Sequence, residues 1–411
     1  MVKVTSEERR EARFHRRRVQ RAEKKQAHCA DCDVFDKVFS YDHLYHAYKK
    51  CRRNVAWKSS TQKYITQAPL YVYQTHKALM NDKFKSSGFV EFDLCERGKT
   101  RHIRSVTMNE RVVQRCLCDY ALVPVLGRTF IYDNGASQTH KGYTFAIKRL
   151  TQHLQQHYRK YGTEGYILLF DFSKFFDRVS HQLVKGILHR EFSDERILKL
   201  TEHFIDAFGD VGMGLGSQIS QVLALTSANR LDHYVKKVFR IKGYGRYMDD
   251  GYAIHHSKEY LHKCLEGIKA ICEELEITLN TKKTQIVKLS HGFTWLKVRF
   301  YILPTGKIIK KIYHRSVTKM RQKLKALKTK VQAGILTYQD IYTSWQSWRA
   351  YALNFNAYRT IQSMGELYNR LFIYPCYATP PPMSDINTYN SPQYLSGAVD
   401  FYMPKEVCHM K

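Results

Sequence analysis

Residues 165–171 read GYILLFD, and residues 244–255 read YGRYMDDGYAIH. The first is a short continuous apolar run, opened by glycine and closed by aspartate, which is the pattern of a buried strand. The second is a pair of β-prone segments around Asp249-Asp250-Gly251, the pattern of a hairpin with those three residues at its turn. Carboxylates thus stand at the ends of apolar strands: Asp171 on one, Asp249 and Asp250 on the other. Burying a carboxylate there is costly without a cation, and adjacent acids at a tight turn repel each other. A divalent metal relieves all three, and Mg²⁺ favours carboxylate and phosphate oxygens. Two such ions between opposed carboxylates activate a 3′-hydroxyl and stabilise a departing pyrophosphate. Taken alone, Asp-Asp-Gly is also an ordinary surface turn.

Outward from these strands the pattern is mostly helical. The spacing predicts helices over 3–26, 35–58, 107–122 (ending before Pro124), 143–160, from about Gln182, over Ser220–Val238 and over 257–275. Residues 59–105 read as short strands with turns, and strands are expected around 284–289 and 293–303, joined by a Ser290-His291-Gly292 turn. Residues 313–371 are basic and helical, with helices through Ser316–Leu327 and Tyr342–Ile361. The loop from Asp133 to Ser137, with Lys141-Gly142, is rich in glycine and small polar residues and reads as a backbone-contacting loop or a plain turn. The tail from Pro375 holds six of the nine prolines and little periodicity.

The chain of 411 residues carries 67 Lys+Arg against 37 Asp+Glu, a net charge of +30. Such self-repulsion points to a polyanionic partner, most simply nucleic acid. No run of about 18 apolar residues is present and the first 18 residues lack an apolar core, so neither a membrane partner nor a signal peptide is expected, and the expected location is cytoplasmic. Most of the ten cysteines are expected to be free thiols. His28-Cys29-Ala-Asp31-Cys32 contains one CxxC, which needs two further ligands for zinc; the reading is a pair of thiols.

Several stretches, in order, are similar to reverse transcriptase motifs. Tyr247-Met248-Asp249-Asp250 resembles the signature turn of that family, and Phe170-Asp171-Phe172-Ser173-Lys174-Phe175-Phe176-Asp177 its first catalytic motif in bacterial form. Gly212–Gln221 resembles the loop that holds the nascent base pair. Lys99–Ile103 with Asn109–Gln114 resembles fingers motifs, Leu279–Thr284 a later palm motif, and Phe293-Thr-Trp295-Leu296 the primer grip. The resemblance runs from about residue 35 to 360. It implies an α+β right-hand polymerase with fingers, a palm of antiparallel sheet plus helices, and a helical thumb. The implied division is a basic arm at 1–34, fingers with the start of the palm at 35–164, palm at 165–303, basic thumb at 304–374 and a Pro-rich tail at 375–411.

The implied activity is RNA-directed DNA polymerisation. Asp171, Asp249 and Asp250 would be catalytic, and Asp171, Phe172, Asp249 and Asp250 would hold two Mg²⁺ ions, for which Mn²⁺ could substitute. Phe176 would be the steric gate that rejects a ribose 2′-hydroxyl. Arg101, Lys99 and Lys283 would contact the triphosphate, Leu215, Gly216 and Gln221 the nascent pair, and Phe293, Trp295 and Leu296 the primer. Implied partners are template RNA, primer, cDNA product and dNTPs, with a small basic accessory protein. Leu215-Gly216-Ser-Gln-Ile-Ser220-Gln221 has an aliphatic residue where the family often has Gln, and Gln where it often has Pro. That form resembles the error-prone enzymes of diversity-generating retroelements; the alternative is an antiphage defence reverse transcriptase. A scaffold with a vestigial site is the reading from another class.

Overall fold

The computed structural model describes residues 5–96, 99–214 and 216–373. Helix α1 (Ser6–Cys29) opens on a capping box, with Thr5 Oγ1 accepting from the Glu8 amide and Glu8 from the Thr5 amide. There follow α2 (Phe35–Val38), α3 (Tyr41–Cys51), α4 (Ser59–Thr66) and α5 (Ala68–Met80). The single helix expected over 35–58 is interrupted because Ser40 caps α3, accepting from the His43 amide. The strands expected from residue 59 are helical up to Met80. Pro69 lies in the first turn of α5, where its missing amide costs nothing, and Ala68, Val72, Thr75 and Leu79 make a buried helical stripe.

Strands β1 (Phe89–Glu96) and β2 (Lys99–Val106) form an antiparallel hairpin. Helix α6 (Met108–Leu117) does not stop before Pro124. A π-helical turn at Cys118–Leu122 absorbs an extra residue, and Pro124 enters the first turn of α7 (Val123–Gly127). Then come α8 (Tyr143–Tyr161), β3 (Tyr166–Asp171), α9 (His181–Glu191) and α10 (Glu195–Asp206), the last N-capped by Asp194. The helix expected over Ser220–Val238 is two, α11 (Gln218–Ser227) and α12 (Asn229–Lys237). Thr226 and Ser227 bond back to the carbonyls of Val222 and Ala224 just before the break at Ala228, a contact that bends helices.

Strands β4 (Gly243–Tyr247) and β5 (Asp250–His255), helix α13 (Lys258–Glu274) and strand β6 (Gln285–Lys288) complete the central sheet. Its order is β4-β5-β3-β6, with every neighbour antiparallel. Strand β3 is buried from Ile167 to Asp171, which explains a continuous apolar run rather than alternation. Helices α8, α12 and α13 pack on this sheet. The fold class is the expected α+β.

Strands β7 (Phe293–Trp295), β8 (Val298–Ile302) and β9 (Ile308–Ile312) form a second sheet. The turn at Ser290-His291-Gly292 therefore does not join a hairpin: a short 3-10 turn, with Gly292 at φ 65°, passes the chain from one sheet to the other. The hairpin turn lies instead at Leu296 and Lys297, both at positive φ, as a type I′ turn requires. The chain divides into two compact units, one running to Leu296 with Phe300–Ile308, the other comprising Lys297–Arg299 and the residues from Ile309. In the second, α14 (His314–Gln332), α15 (Tyr338–Ala352) and α16 (Tyr358–Phe372) enclose Met320, Leu324, Ile341, Trp345 and Met364. The helix expected over Tyr342–Ile361 is thus divided between α15 and α16. The tail from Pro375 lies outside the described residues.

Gly251 on β5 faces Phe170 on β3, and a Cβ there would meet the Phe170 ring at 2.1 Å. Gly251→Ala is expected to destabilise the chain by about 1–3 kcal/mol through overpacking. Gly186→Ala, in α9 with open space around it, should be neutral or stabilising by about 0.5–1 kcal/mol. Urea unfolding of the two variants checks the contrast.

Candidate active site

Strand β3 ends on Asp171, whose cross-strand neighbour on β5 is Asp250. The expected Asp249-Asp250-Gly251 turn is shifted: Tyr247 pairs with Asp250, and the two-residue connection is Met248-Asp249. Met248 sits at φ 55°, an unusual conformation for a side chain of its size. Asp249 therefore stands at the apex, while Asp250 and Gly251 are already strand.

The backbone around Asp171 is fastened on two sides. The Phe172 amide donates to the Asp249 carbonyl (3.2 Å), the Asn280 amide to the Asp171 carbonyl (2.8 Å) and the Ser173 amide to the Thr278 carbonyl (2.7 Å). The Asp171 carboxylate is buried and accepts from Lys283 Nζ (2.7 Å) and Asn280 Nδ2 (3.2 Å). Burial, then repulsion from Asp249 and Asp171, pushes the Asp250 carboxyl up to about 7. Burial also raises Asp249, with Asp171 adding to the effect. Burial alone would lower the Lys283 ammonium, but its hydrogen bond to Asp171 and the surrounding carboxylates hold it above its ordinary value.

Among the described residues, no three His, Cys, Asp or Glu side chains are drawn together as a metal-binding group. The fit to a divalent cation rests on the donor set. Three carboxylates share one end of a buried strand pair, two of them carry raised proton affinity, and Lys283 is hydrogen-bonded to one of them, Asp171. Hard oxygen donors of that kind suit Mg²⁺, so the chemistry of Asp171, Asp249 and Asp250 would fit that ion.

Beneath the turn lies an ion pair that the sequence reading did not single out. Arg246 and Asp232 are both fully buried. Arg246 donates through Nε to Asp232 Oδ1 (2.8 Å) and through a terminal nitrogen to Oδ2 (2.7 Å), while Tyr244 donates to Oδ1 (2.7 Å). The other terminal nitrogen donates to the Met248 carbonyl (2.7 Å). Arg246 thus ties α12 to the turn that carries Asp249. A charged residue inside an otherwise apolar strand was the available signal.

The other expected site residues are placed as follows. Phe176 is half-buried, edge-on to Phe175, and its carbonyl accepts from the Met213 amide (2.7 Å). Gly212, at φ 83°, lies so near Asp177 that a Cβ would meet its carbonyl oxygen at 2.6 Å, which brings the loop before α11 against the Phe176 segment. Gly216 lies beside the Arg104 carbonyl, and Leu215 is outside the described residues. Gln221 accepts from Ser137 (2.9 Å), so the loop from Asp133 meets the start of α11. A hydrogen-bond relay, buried except at Ser86, runs from Ser86 to Glu110 (2.6 Å), Gln114 to Glu110 (3.1 Å) and Ser217 to Gln114 (2.9 Å). Lys99 and Arg101 lie on β2 opposite Glu96 and Leu94. Phe293 and Trp295 are buried, Trp295 edge-on to Tyr252 at 4.8 Å, and the Leu296 carbonyl accepts from Tyr143 (3.3 Å).

A family model described as "Reverse transcriptase (RNA-dependent DNA polymerase)" matches residues 77–300, more than half of the chain. A search of curated proteins returned no match. Among solved structures, the chain is similar to apo telomerase from Candida tropicalis truncated from the C-terminal domain, at 17% identity and TM-score 0.41, over 55% of each chain. Apo telomerase from the same organism aligns at 15% identity and TM-score 0.43, over 55% of this chain and 49% of that one. The chain thus spans about half the length of both. Among the described residues no helix is long and apolar enough to cross a membrane.

Asp232→Ala strands Arg246 as an uncompensated buried charge and is expected to cost about 3–5 kcal/mol, read as a lowered urea midpoint. A second expectation concerns acid. His153 is buried and hydrogen-bonded to Tyr252 (2.9 Å), and burial depresses its proton affinity to a pKa of about 4 despite the neighbouring Asp133. At pH 5 the unfolded chain binds this proton and the folded chain does not. Stability should therefore fall as pH drops from about 6.5 to 4, by on the order of 3 kcal/mol from this residue. His153→Gln should reduce the slope of unfolding free energy against pH in that window by about one proton.

Proposed function

The chain belongs to the reverse transcriptase family, and we propose that it acts as an RNA-directed DNA polymerase, extending a primer along template RNA with dNTPs. The observation that carries the reading is the strand pair that sets Asp171 opposite Asp250, with Asp249 at the adjoining apex. Asp171, Asp249 and the Phe172 carbonyl hold the metal ions, with Asp250 as the accessory carboxylate. Bound Mg²⁺ supplies polarisation of the primer hydroxyl and neutralisation of charge at the pyrophosphate. Lys283 and Asn280 orient the Asp171 carboxylate. Phe176 is the gate against a ribose, and Lys99, Arg101 and Lys283 meet the triphosphate. Gly216 and Gln221 border the nascent pair. The turn at Leu296, backed by buried Phe293 and Trp295, positions the primer. Residues 35–164 serve as fingers with the start of the palm, 165–303 as palm and 304–374 as thumb, whose basic helices bind the template–primer backbone without reading sequence.

Within the family we assign the chain to diversity-generating retroelements. What supports this is the sequence departure at Leu215–Gln221, where Leu stands in place of a Gln that could hydrogen-bond. Co-expression with the flanking locus RNA and sequencing of the cDNA tests both levels. Errors concentrated at template adenines are expected; faithful or untemplated cDNA would move the chain to the antiphage branch. Asp249→Asn is expected to cut primer extension by more than about 10³-fold while RNA binding survives. Persistent synthesis by that variant would overturn the metal assignment, and RNA binding without any cDNA from the unaltered chain would favour a scaffold.

A further inference from the structure

Helix α1 precedes the residues matched by the family model and contributes none of the active-site groups. It buries no apolar stripe: every side chain described along it is exposed, Phe14 at 62%. Arg10, Arg13, Phe14, Arg17 and Arg18 share one face, as spacings of three and four dictate. Among the described residues none of these four arginines is ion-paired; Arg13 Nε donates only to the Arg9 carbonyl (3.2 Å). The ridge differs in this from the arginines that are paired within the fold. Arg104, Arg115, Arg128, Arg149, Arg196, Arg230 and Arg246 each have a carboxylate partner.

We propose that this arginine ridge is a separate RNA-binding arm that docks on the phosphates of a double-helical stem in the template RNA. The proposal rests on the polymerase reading only for the identity of the nucleic acid as RNA. Guanidinium forks match phosphate oxygens bidentately. From Arg10 to Arg18 the helix rises about 12 Å at 1.5 Å per residue. A DNA duplex presents about one phosphate per 1.7 Å of axis; at a comparable density in an RNA stem about seven lie within that length, twice what one strand offers. Single-strand grooves use successive aromatic rings as stacking platforms, and this face has one, Phe14. The buried core of a protein interface is depleted of charge, whereas this ridge offers one apolar side chain among four arginines.

The test uses the full chain with Arg10, Arg13, Arg17 and Arg18 all changed to Gln, which keeps helix propensity. Equilibrium binding is measured by fluorescence anisotropy against an RNA hairpin and an oligo-U strand of equal phosphate number. With four phosphate contacts, the native chain should lose roughly 100-fold more hairpin affinity than the variant between 50 and 200 mM salt. Oligo-U binding should change by less than about 3-fold, and extension of a short pre-annealed template–primer by less than about 2-fold. The corresponding four-Lys variant keeps the charge and should restore the salt slope; if it does not, or if hairpin binding is unchanged in the Gln variant, the arm is overturned. An equal loss on oligo-U overturns the preference for a stem. Asp249→Asn should leave hairpin affinity intact. Absence of extension by the unaltered chain would sink the polymerase reading while leaving the hairpin result to stand or fall on its own.

Discussion

The buried pair of Arg246 and Asp232 is the constraint around which the site is organised. A fully desolvated guanidinium is tolerable only when it is paired with an opposite charge and hydrogen-bonded. Here the donors reach both Asp232 oxygens, the Leu225 carbonyl and the Met248 carbonyl. The last of these matters most, because Met248 occupies a left-handed conformation at the turn that lifts Asp249. A charge–dipole contact from below offsets the cost of that backbone shape. The pair is thus less a source of net stability than a device for one geometry.

Above it, the carboxylates are arranged by strand register alone. Antiparallel pairing of β3 with β5 sets Asp171 opposite Asp250, and a one-residue slip would send one of them to the other face. The close fit of Phe170 over Gly251 resists such a slip, since no larger residue fits beneath that ring. On the other flank, Asn280 holds Asp171 through both its amide and its side chain. Register, a ring over a glycine, and a paired arginine together position charges that repel one another.

Much of this was legible in the sequence where one physical signal dominates. The apolar run at 166–170 and the amphipathic period of α8 each announce themselves locally. The order of the motifs around Asp171 and Asp249 likewise marks the family. What was hidden depends on partners far along the chain. Arg246 and Asp232 are separated by 14 positions, and nothing in either neighbourhood says that they meet. The segment from residue 59 reads as strands until Pro69 is seen in the first turn of α5. Thr226 and Ser227 look helical, and only their bonds back to the preceding turn show why the helix breaks. Gly292 resembles a hairpin turn because local sequence does not tell a reversal from a change of sheet.

One feature of the central sheet bears on how the chain behaves in a crowded solution. Strand β4 lies at the sheet's border, where unpaired amides and carbonyls would normally recruit another strand. The segment around Asn134 bridges to Arg246, the Gly135 amide donates to the Arg246 carbonyl, and the Arg246 amide donates to the Asp133 carbonyl. That border is already closed by the chain's own backbone. The opposite border, β6, is four residues long and carries Lys288. A sheet sealed in this way offers little template for edge-to-edge growth, and like charge on neighbouring molecules keeps them apart. The same seal couples aggregation resistance to the site: loosening the Asn134 segment would uncover the strand that carries Arg246.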